Sequence, residues 1–153
     1  MSKSNYSDEV ELGIVAAKHE IIPNLWLGSH PSSIHDMKYV FALNGRPTYH
    51  VAIGQMVVCQ PFDDAEYMPK IEMIHTLAKM VLDCIKKGPT LVHCTAGINR
   101  SALIVALALI YQGKKPLDAI ALIRSTRSEI CLSNKTFERW LLDKAEIESW
   151  MKK

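Results

Sequence analysis

The stretch of sequence that decides the fold runs from residue 90 to residue 111 and reads TLVHCTAGINRSALIVALALIY. Its first four residues, up to His93, are mostly apolar or β-branched and predict a short strand. The apolar run from Ala102 to Tyr111 predicts a buried helix. Between them lies a short loop that begins with Cys94 and contains Gly97. A strand, a tight loop and a helix in this order are typical of an α/β domain.

The rest of the chain continues this alternation of strands and helices. Apolar runs bounded by turn residues predict further strands, and apolar positions spaced by three and four predict further helices. We therefore expect an α/β domain with a mainly parallel central sheet of four to five strands flanked by helices. The predicted strands are residues 21–28, 39–43 and a buried one at 56–59. The predicted helices lie between Pro69 and Gly88, between Pro116 and Arg127, and after a cap at Ser133 or Asn134, this last one carrying Phe137, Trp140 and Leu141.

Length and composition exclude several classes of protein. The chain has 153 residues, enough for one domain with a sizeable core and too few for two. Its 48% hydrophobic and 22% charged residues exclude disorder, collagen and coiled coil as descriptions of the whole chain. The longest uncharged apolar run, Ser101 to Gln112, is shorter than the roughly 20 residues that cross a bilayer. A net charge of +2 gives no argument for binding nucleic acid or a membrane.

The first 20 residues are predicted to be an N-terminal extension, ahead of a domain at residues 21–153. They show no apolar segment followed by a small-residue cleavage site, so we expect a cytoplasmic, intracellular protein. Residues 7–19 fit an amphipathic helix that docks on the domain or mediates a homodimer contact, and they fit a frayed end equally well. The four cysteines lack the spacing of zinc ligands, so we expect free thiols and no metal.

The loop after residue 93 carries the chemistry. Its backbone amides, together with the N-terminus of the following helix, can form a cradle for an anion. Arg100 adds a planar, permanently charged fork that suits two phosphoryl oxygens. The same positive field favours the thiolate form of Cys94, which makes it a nucleophile beneath an anion site. Ser101 places a hydroxyl within reach of that sulfur, and we expect His93 to orient the loop rather than to move a proton.

The pattern His93-Cys94-x5-Arg100-Ser101 matches the signature of the cysteine-dependent protein phosphatases, and the loop most resembles the dual-specificity branch. Residues 22–28 and 133–137 are similar to the opening strand and the start of the last helix of that branch, so the resemblance covers roughly residues 20–145. It implies a protein tyrosine phosphatase-like fold, phosphorylated protein substrates, a phosphocysteine intermediate and no cofactor or metal. It implies catalytic roles for Cys94, Arg100 and Ser101, supporting roles for His93 and Asn134, and phosphate binding by Thr95, Ala96, Gly97, Ile98, Asn99 and Arg100.

The leaving oxygen of a phosphate ester needs a proton, which requires an acid on another loop. In the resembling family this acid is an aspartate about thirty residues before the cysteine, on a loop after a strand. Asp63 lies 31 positions before Cys94 and Asp64 lies 30. The spacing in poxvirus-type members favours Asp63, and Asp64 is the alternative. Paired aspartates after a strand are also common as simple turn formers.

We therefore expect a small dual-specificity phosphatase, because so short a chain lacks the elements that deepen the pocket of the large tyrosine-specific enzymes. Two alternatives stay open. Thr95 and Asn99, which replaces the serine of cellular members, also suit an RNA 5′-triphosphatase of the same superfamily. A catalytically silent pseudophosphatase that only binds phosphate is the other. Arg124 and Arg127 could receive a second phosphate, but we expect a solvated face there.

Overall fold

The computed structural model describes residues 17–153, which contain five strands and five helices. The strands are β1 (Lys18–Ile22), β2 (Leu25–Gly28), β3 (Tyr39–Ala42), β4 (Met56–Cys59) and β5 (Thr90–His93). The helices are α1 (Ile71–Ile85), α2 (Arg100–Tyr111), α3 (Pro116–Thr126), α4 (Lys135–Leu142) and α5 (Lys144–Met151). Within the described range, no helix combines the length and apolar character needed to span a membrane.

The five strands form one sheet in the order β1-β2-β5-β3-β4. All neighbouring pairs are parallel except β1 and β2, which are antiparallel. The prediction of a mainly parallel sheet is thereby confirmed. Strand β5 lies in the centre, and His93 at its end pairs with Gly28 and Ala42. Because the carboxyl ends of parallel strands meet at one edge of the sheet, the loops after β2, β3, β4 and β5 all converge there.

The first strand differs from its prediction. Residues 21–28 are not one strand, because the chain turns at Pro23-Asn24 and pairs β1 with β2 as a hairpin. Asn24 adopts a positive φ of 70°, which asparagine tolerates better than most residues, and its side-chain amide donates to Ile85 O at 3.0 Å. Strand β1 starts at Lys18, so the predicted boundary at residue 21 cuts through it. The helix or dimer contact expected before it falls mostly on residues 1–16, outside the described range.

Strand β4 is the second difference. It forms an edge of the sheet, where Met56 is 56% exposed, and it is therefore not the buried strand that its apolar residues predict. An apolar run by itself does not distinguish an edge strand from a central one.

Helix α2 is the centre of the core and anchors the loop before it. Every residue from Ser101 to Ile110 is buried, between the sheet and neighbouring helices. Helix α1 packs against it through an apolar face that includes Ile74, Leu77 and Val81. Full burial of each such large apolar side chain contributes about 1.5–3 kcal/mol. The N-terminus of α2, which follows the Cys94 loop, is therefore held firmly.

The last predicted helix is in fact two helices. Asn134 caps α4 by accepting a hydrogen bond from Phe137 N at 3.1 Å, as expected from its position. Asp143 leaves the helical conformation, with φ −81° and ψ 84°, and its carboxylate accepts from Glu146 N at 3.2 Å to start α5. Asp143 therefore ends α4 and caps the start of α5.

An aromatic cluster fastens α5 to the body of the domain. The ring of His75 stacks on Trp150, with centroids 5.4 Å apart, and meets Trp140 edge to face. Its Nδ1 lies 2.5 Å from the hydroxyl of Tyr111, and its buried Nε2 has no hydrogen-bond partner within the part of the chain that the structure describes. Burial lowers the pKa of His75 to about 4, with a smaller contribution from Lys79 and Lys153. His75 is therefore a neutral part of the core.

Candidate active site

Residues 94–100, which follow β5 and include the first residue of α2, are called the Cys94 loop below. It curls so that the backbone amide of Gly97 donates to Cys94 Sγ at 3.3 Å. The hydroxyl of Ser101, the second residue of α2, lies 3.2 Å from the same sulfur. Gly97 has a positive φ of 71°, and a Cβ there would lie 2.4 Å from the carbonyl carbon of Gly28. Only glycine permits this close approach to the end of β2.

Arg100 links the Cys94 loop to the loop after β4. Its Nη1 donates to Phe62 O at 3.2 Å, and its Nη2 donates to Thr95 Oγ1 at 3.3 Å. Its Nε is buried and has no hydrogen-bond partner among the described residues. A buried, charged donor that lacks an acceptor fits an oxyanion bound beside it.

The neutral imidazole of His93 supports the bottom of the site. Its Nδ1 lies 3.3 Å from Cys94 O, and its Nε2 accepts a hydrogen bond of 2.6 Å from the hydroxyl of Tyr49. Burial is the main reason that the pKa of His93 falls to about 4. Burial also raises the pKa of Tyr49, so the phenol stays protonated and acts as the hydrogen-bond donor. The imidazole therefore orients the backbone at the start of the Cys94 loop.

Asp63 lies on the loop that Arg100 contacts. One of its carboxylate oxygens, Oδ2, accepts a 2.7 Å hydrogen bond from Tyr67. Asp63, Tyr67 and Arg100 line one cavity of about 480 Å³, together with Asn44 and Met73. Asp63 and Arg100 therefore border a common space.

Asp64 makes a different set of contacts. Its Oδ2 accepts from Asn99 Nδ2 at 3.1 Å, and its Oδ1 accepts from Asn134 Nδ2 at 2.7 Å. The side-chain oxygen of Asn99 in turn accepts from the backbone amide of Asn134 at 2.9 Å. Asp64 thus ties the loop after β4 to the Cys94 loop and to the cap of α4, with both of its oxygens occupied.

The model for the dual specificity phosphatase catalytic domain matches residues 25–147 of the chain. The chain belongs to this family. The resemblance inferred from the loop signature is thereby confirmed, and it places the protein among the cysteine-dependent protein phosphatases.

Similar proteins agree with this assignment. The chain is 29% identical over 135 residues to protein 123R of Invertebrate iridescent virus 6, which is named as a tyrosine phosphatase; the match spans 86% of the chain and 92% of the viral protein. It is 36% identical over 108 residues to the protein tyrosine phosphatase PRL-1 of Leishmania major, spanning 62% of the chain and 61% of PRL-1. The crystal structure of human DUSP28 shares the fold, with a TM-score of 0.72 and 20% identity over 88% of the chain and 99% of DUSP28.

Arg127 is one site residue of this phosphatase that sequence reasoning missed. It is only 5% exposed, and the prediction that it lies on a solvated face is wrong. Its Nε donates to Gly97 O at 2.7 Å and its Nη2 to Ala96 O at 3.0 Å, so it supports the Cys94 loop from behind. Its Nη1 donates to Ala17 O at 2.7 Å, just before β1. No short motif marks these contacts, because they join segments about thirty and more than a hundred residues apart.

Arg124 is likewise engaged with the protein. Its Nε donates to Cys131 O at 2.9 Å, and its Nη2 pairs with Glu138 of α4. It holds the segment between α3 and α4 rather than the Cys94 loop.

Asn44 and His30 also went unrecognised in the sequence. Asn44, after β3, donates through Nδ2 to Thr95 Oγ1 at 3.1 Å, and His30, after β2, donates its backbone amide to Thr95 O at 3.1 Å. They fix the first residue after the cysteine from the two neighbouring strands. The sequence signal that could have identified them is their position just after a strand of the predicted parallel sheet.

Proposed function

We propose that this protein is a dual-specificity protein phosphatase that hydrolyses phosphotyrosine, phosphoserine and phosphothreonine through a phosphocysteine intermediate. One arrangement carries the proposal. A buried sulfur, Cys94 Sγ, accepts from the Gly97 amide and lies beside the Ser101 hydroxyl. In the same loop, Arg100 has a buried Nε that has no hydrogen-bond partner among residues 17–153. The nucleophile and the anion site thus lie within eight consecutive residues, Cys94 to Ser101.

In the first step, the Cys94 thiolate attacks phosphorus and the bond to the leaving oxygen breaks. Asp63 gives that oxygen its proton, so the alcohol or phenol departs neutral and the phosphate stays on sulfur. The amides of residues 95–100 and the guanidinium of Arg100 hold the other three oxygens.

In the second step, Asp63 as carboxylate takes a proton from water while the water oxygen attacks phosphorus. The phosphorus–sulfur bond breaks, and the Ser101 hydroxyl stabilises the thiolate as it leaves. Inorganic phosphate is released and Asp63 is protonated again, so the cycle closes.

The contacts of the two aspartates support Asp63 as the acid. Both oxygens of Asp64 are occupied by amide donors, whereas among the described residues only Oδ2 of Asp63 has a hydrogen-bond partner, and Asp63 shares a cavity with Arg100. Its backbone neighbour, Phe62 O, is fixed by Arg100 itself.

Assays on phosphopeptides test the proposal. The purified protein should release phosphate from phosphotyrosine, phosphothreonine and phosphoserine peptides, inhibited by vanadate, and Cys94→Ser should abolish release while still binding vanadate. Acid quenching with ³²P-labelled substrate should trap label on the wild type and none on Cys94→Ser.

Three results would contradict the proposal. A folded wild type that binds vanadate without turnover is a pseudophosphatase. Release from phosphotyrosine alone would reject dual specificity. Release from a triphosphate-ended RNA but from no peptide would favour the RNA 5′-triphosphatase suggested by Asn99.

A further inference from the structure

Tyr67 contacts the proposed acid directly. Its hydroxyl donates to Asp63 Oδ2 at 2.7 Å, from four residues further along the same loop. This hydrogen bond is the main reason that the pKa of Tyr67 is raised, so the phenol stays protonated and acts as a donor. The ring is 59% exposed at the rim of the cavity that Asp63 and Arg100 share.

The other contacts of this loop hold its main chain or the Asp64 side chain and do not involve the Asp63 side chain. Phe62 O accepts from Arg100, Ala65 O from Asn134 at 2.8 Å, and Glu66 O from Thr136 at 3.2 Å. Within residues 17–153, Tyr67 is the group that hydrogen-bonds the Asp63 carboxylate. The rotamer of the acid therefore depends on Tyr67.

We propose that Tyr67 is a positioning residue for Asp63, an inference that rests on the proposed function. Because Oδ2 accepts from the phenol, the transferable proton is left on Oδ1. The same bond stabilises the carboxylate that forms when the leaving oxygen takes this proton. Tyr67 transfers no proton itself; it fixes which oxygen of Asp63 does so.

Leaving groups of different basicity test the assignment. Nitrophenolate departs without being protonated, whereas phenolate needs the acid. Tyr67→Phe should lower kcat/KM for phenyl phosphate about five-fold, the value of one hydrogen bond of ~1 kcal/mol, and should leave kcat/KM for 4-nitrophenyl phosphate unchanged. We use kcat/KM because it reports phosphocysteine formation and excludes the later attack by water. Tyr39→Phe, which removes a tyrosine hydroxyl on β3, is the matched control and should change neither value.

A double-mutant cycle completes the experiment. On an Asp63→Asn background, Tyr67→Phe should have no further effect on phenyl phosphate, because its partner is no longer an acid. Equal losses on both substrates would show a structural role and overturn the inference, as would no loss on either. If Asp64→Asn rather than Asp63→Asn gives the loss that depends on the leaving group, the inference also fails while the phosphatase proposal stands. A wild type inactive on both substrates would overturn the proposed function itself.

Discussion

Replacing Arg127 with methionine removes the support behind the Cys94 loop while filling much of the same volume. Two carbonyls of that loop, Ala96 O and Gly97 O, lose charged donors at 3.0 and 2.7 Å, and Ala17 O loses a third. Hydrogen bonds from charged donors contribute about 1.5–3 kcal/mol each. Part of this loss of stability is offset, because the variant no longer buries a charged guanidinium. The same burial lowers the pKa of Arg127 in the wild type. We expect a net loss of about 3 kcal/mol in the free energy of unfolding.

Urea unfolding and vanadate titration measure the two consequences of this change. Arg124→Met is the control, because Arg124 lies in the last turn of α3, just before Arg127, and binds the backbone at Cys131 and Leu132 instead. Both variants should be less stable than the wild type, but only Arg127→Met should also weaken vanadate binding, by about ten-fold, or ~1.4 kcal/mol. The reasoning is refuted if Arg127→Met keeps the wild-type vanadate affinity, or if Arg124→Met weakens it equally.

Three further predictions concern the loop and the buried histidines. Gly97→Ala should abolish activity and lower Tm, because its Cβ would meet the backbone of Gly28. The control is Gly113→Ala, at a positive φ of 101° in open space, which should lower the free energy of unfolding by only about 1–2 kcal/mol and keep activity. Equal effects of the two substitutions would contradict this prediction. His75 and His93 have pKa values of about 4 in the folded protein and about 6.5 in the unfolded chain. Between these pH values the unfolded state therefore binds more protons than the folded state. The free energy of unfolding should fall by up to ~1.4 kcal/mol per pH unit for each histidine as the pH drops from 6.5 to 4. Urea unfolding of His75→Phe should show a shallower slope, and an unchanged slope would exclude His75 as a source. Ser101→Ala should slow phosphocysteine hydrolysis about ten-fold and give burst kinetics with 4-nitrophenyl phosphate; a steady rate without a burst would contradict its role.

The central strand, the Cys94 loop and helix α2 could be predicted from sequence because they are consecutive. Each follows from local patterns, and the strand register then places their neighbours. The β1–β2 hairpin and the break at Asp143 were missed because a single turn or cap residue inside an apolar stretch gives a weak local signal.

The surroundings of the loop could not be predicted, because they depend on contacts between distant segments. Nothing near Arg127 in the sequence indicates that it reaches Gly97, and nothing near Tyr49 indicates that it reaches His93. The roles assigned to Cys94, Arg100 and Asp63 stay predictions until the variants are assayed.

Because the guanidinium of Arg127 binds both Ala17, just before β1, and the Cys94 loop, the first strand and the reaction centre share one anchor. Their energetics are therefore coupled, and trimming or fusing a tag close to residue 17 would alter turnover as well as folding.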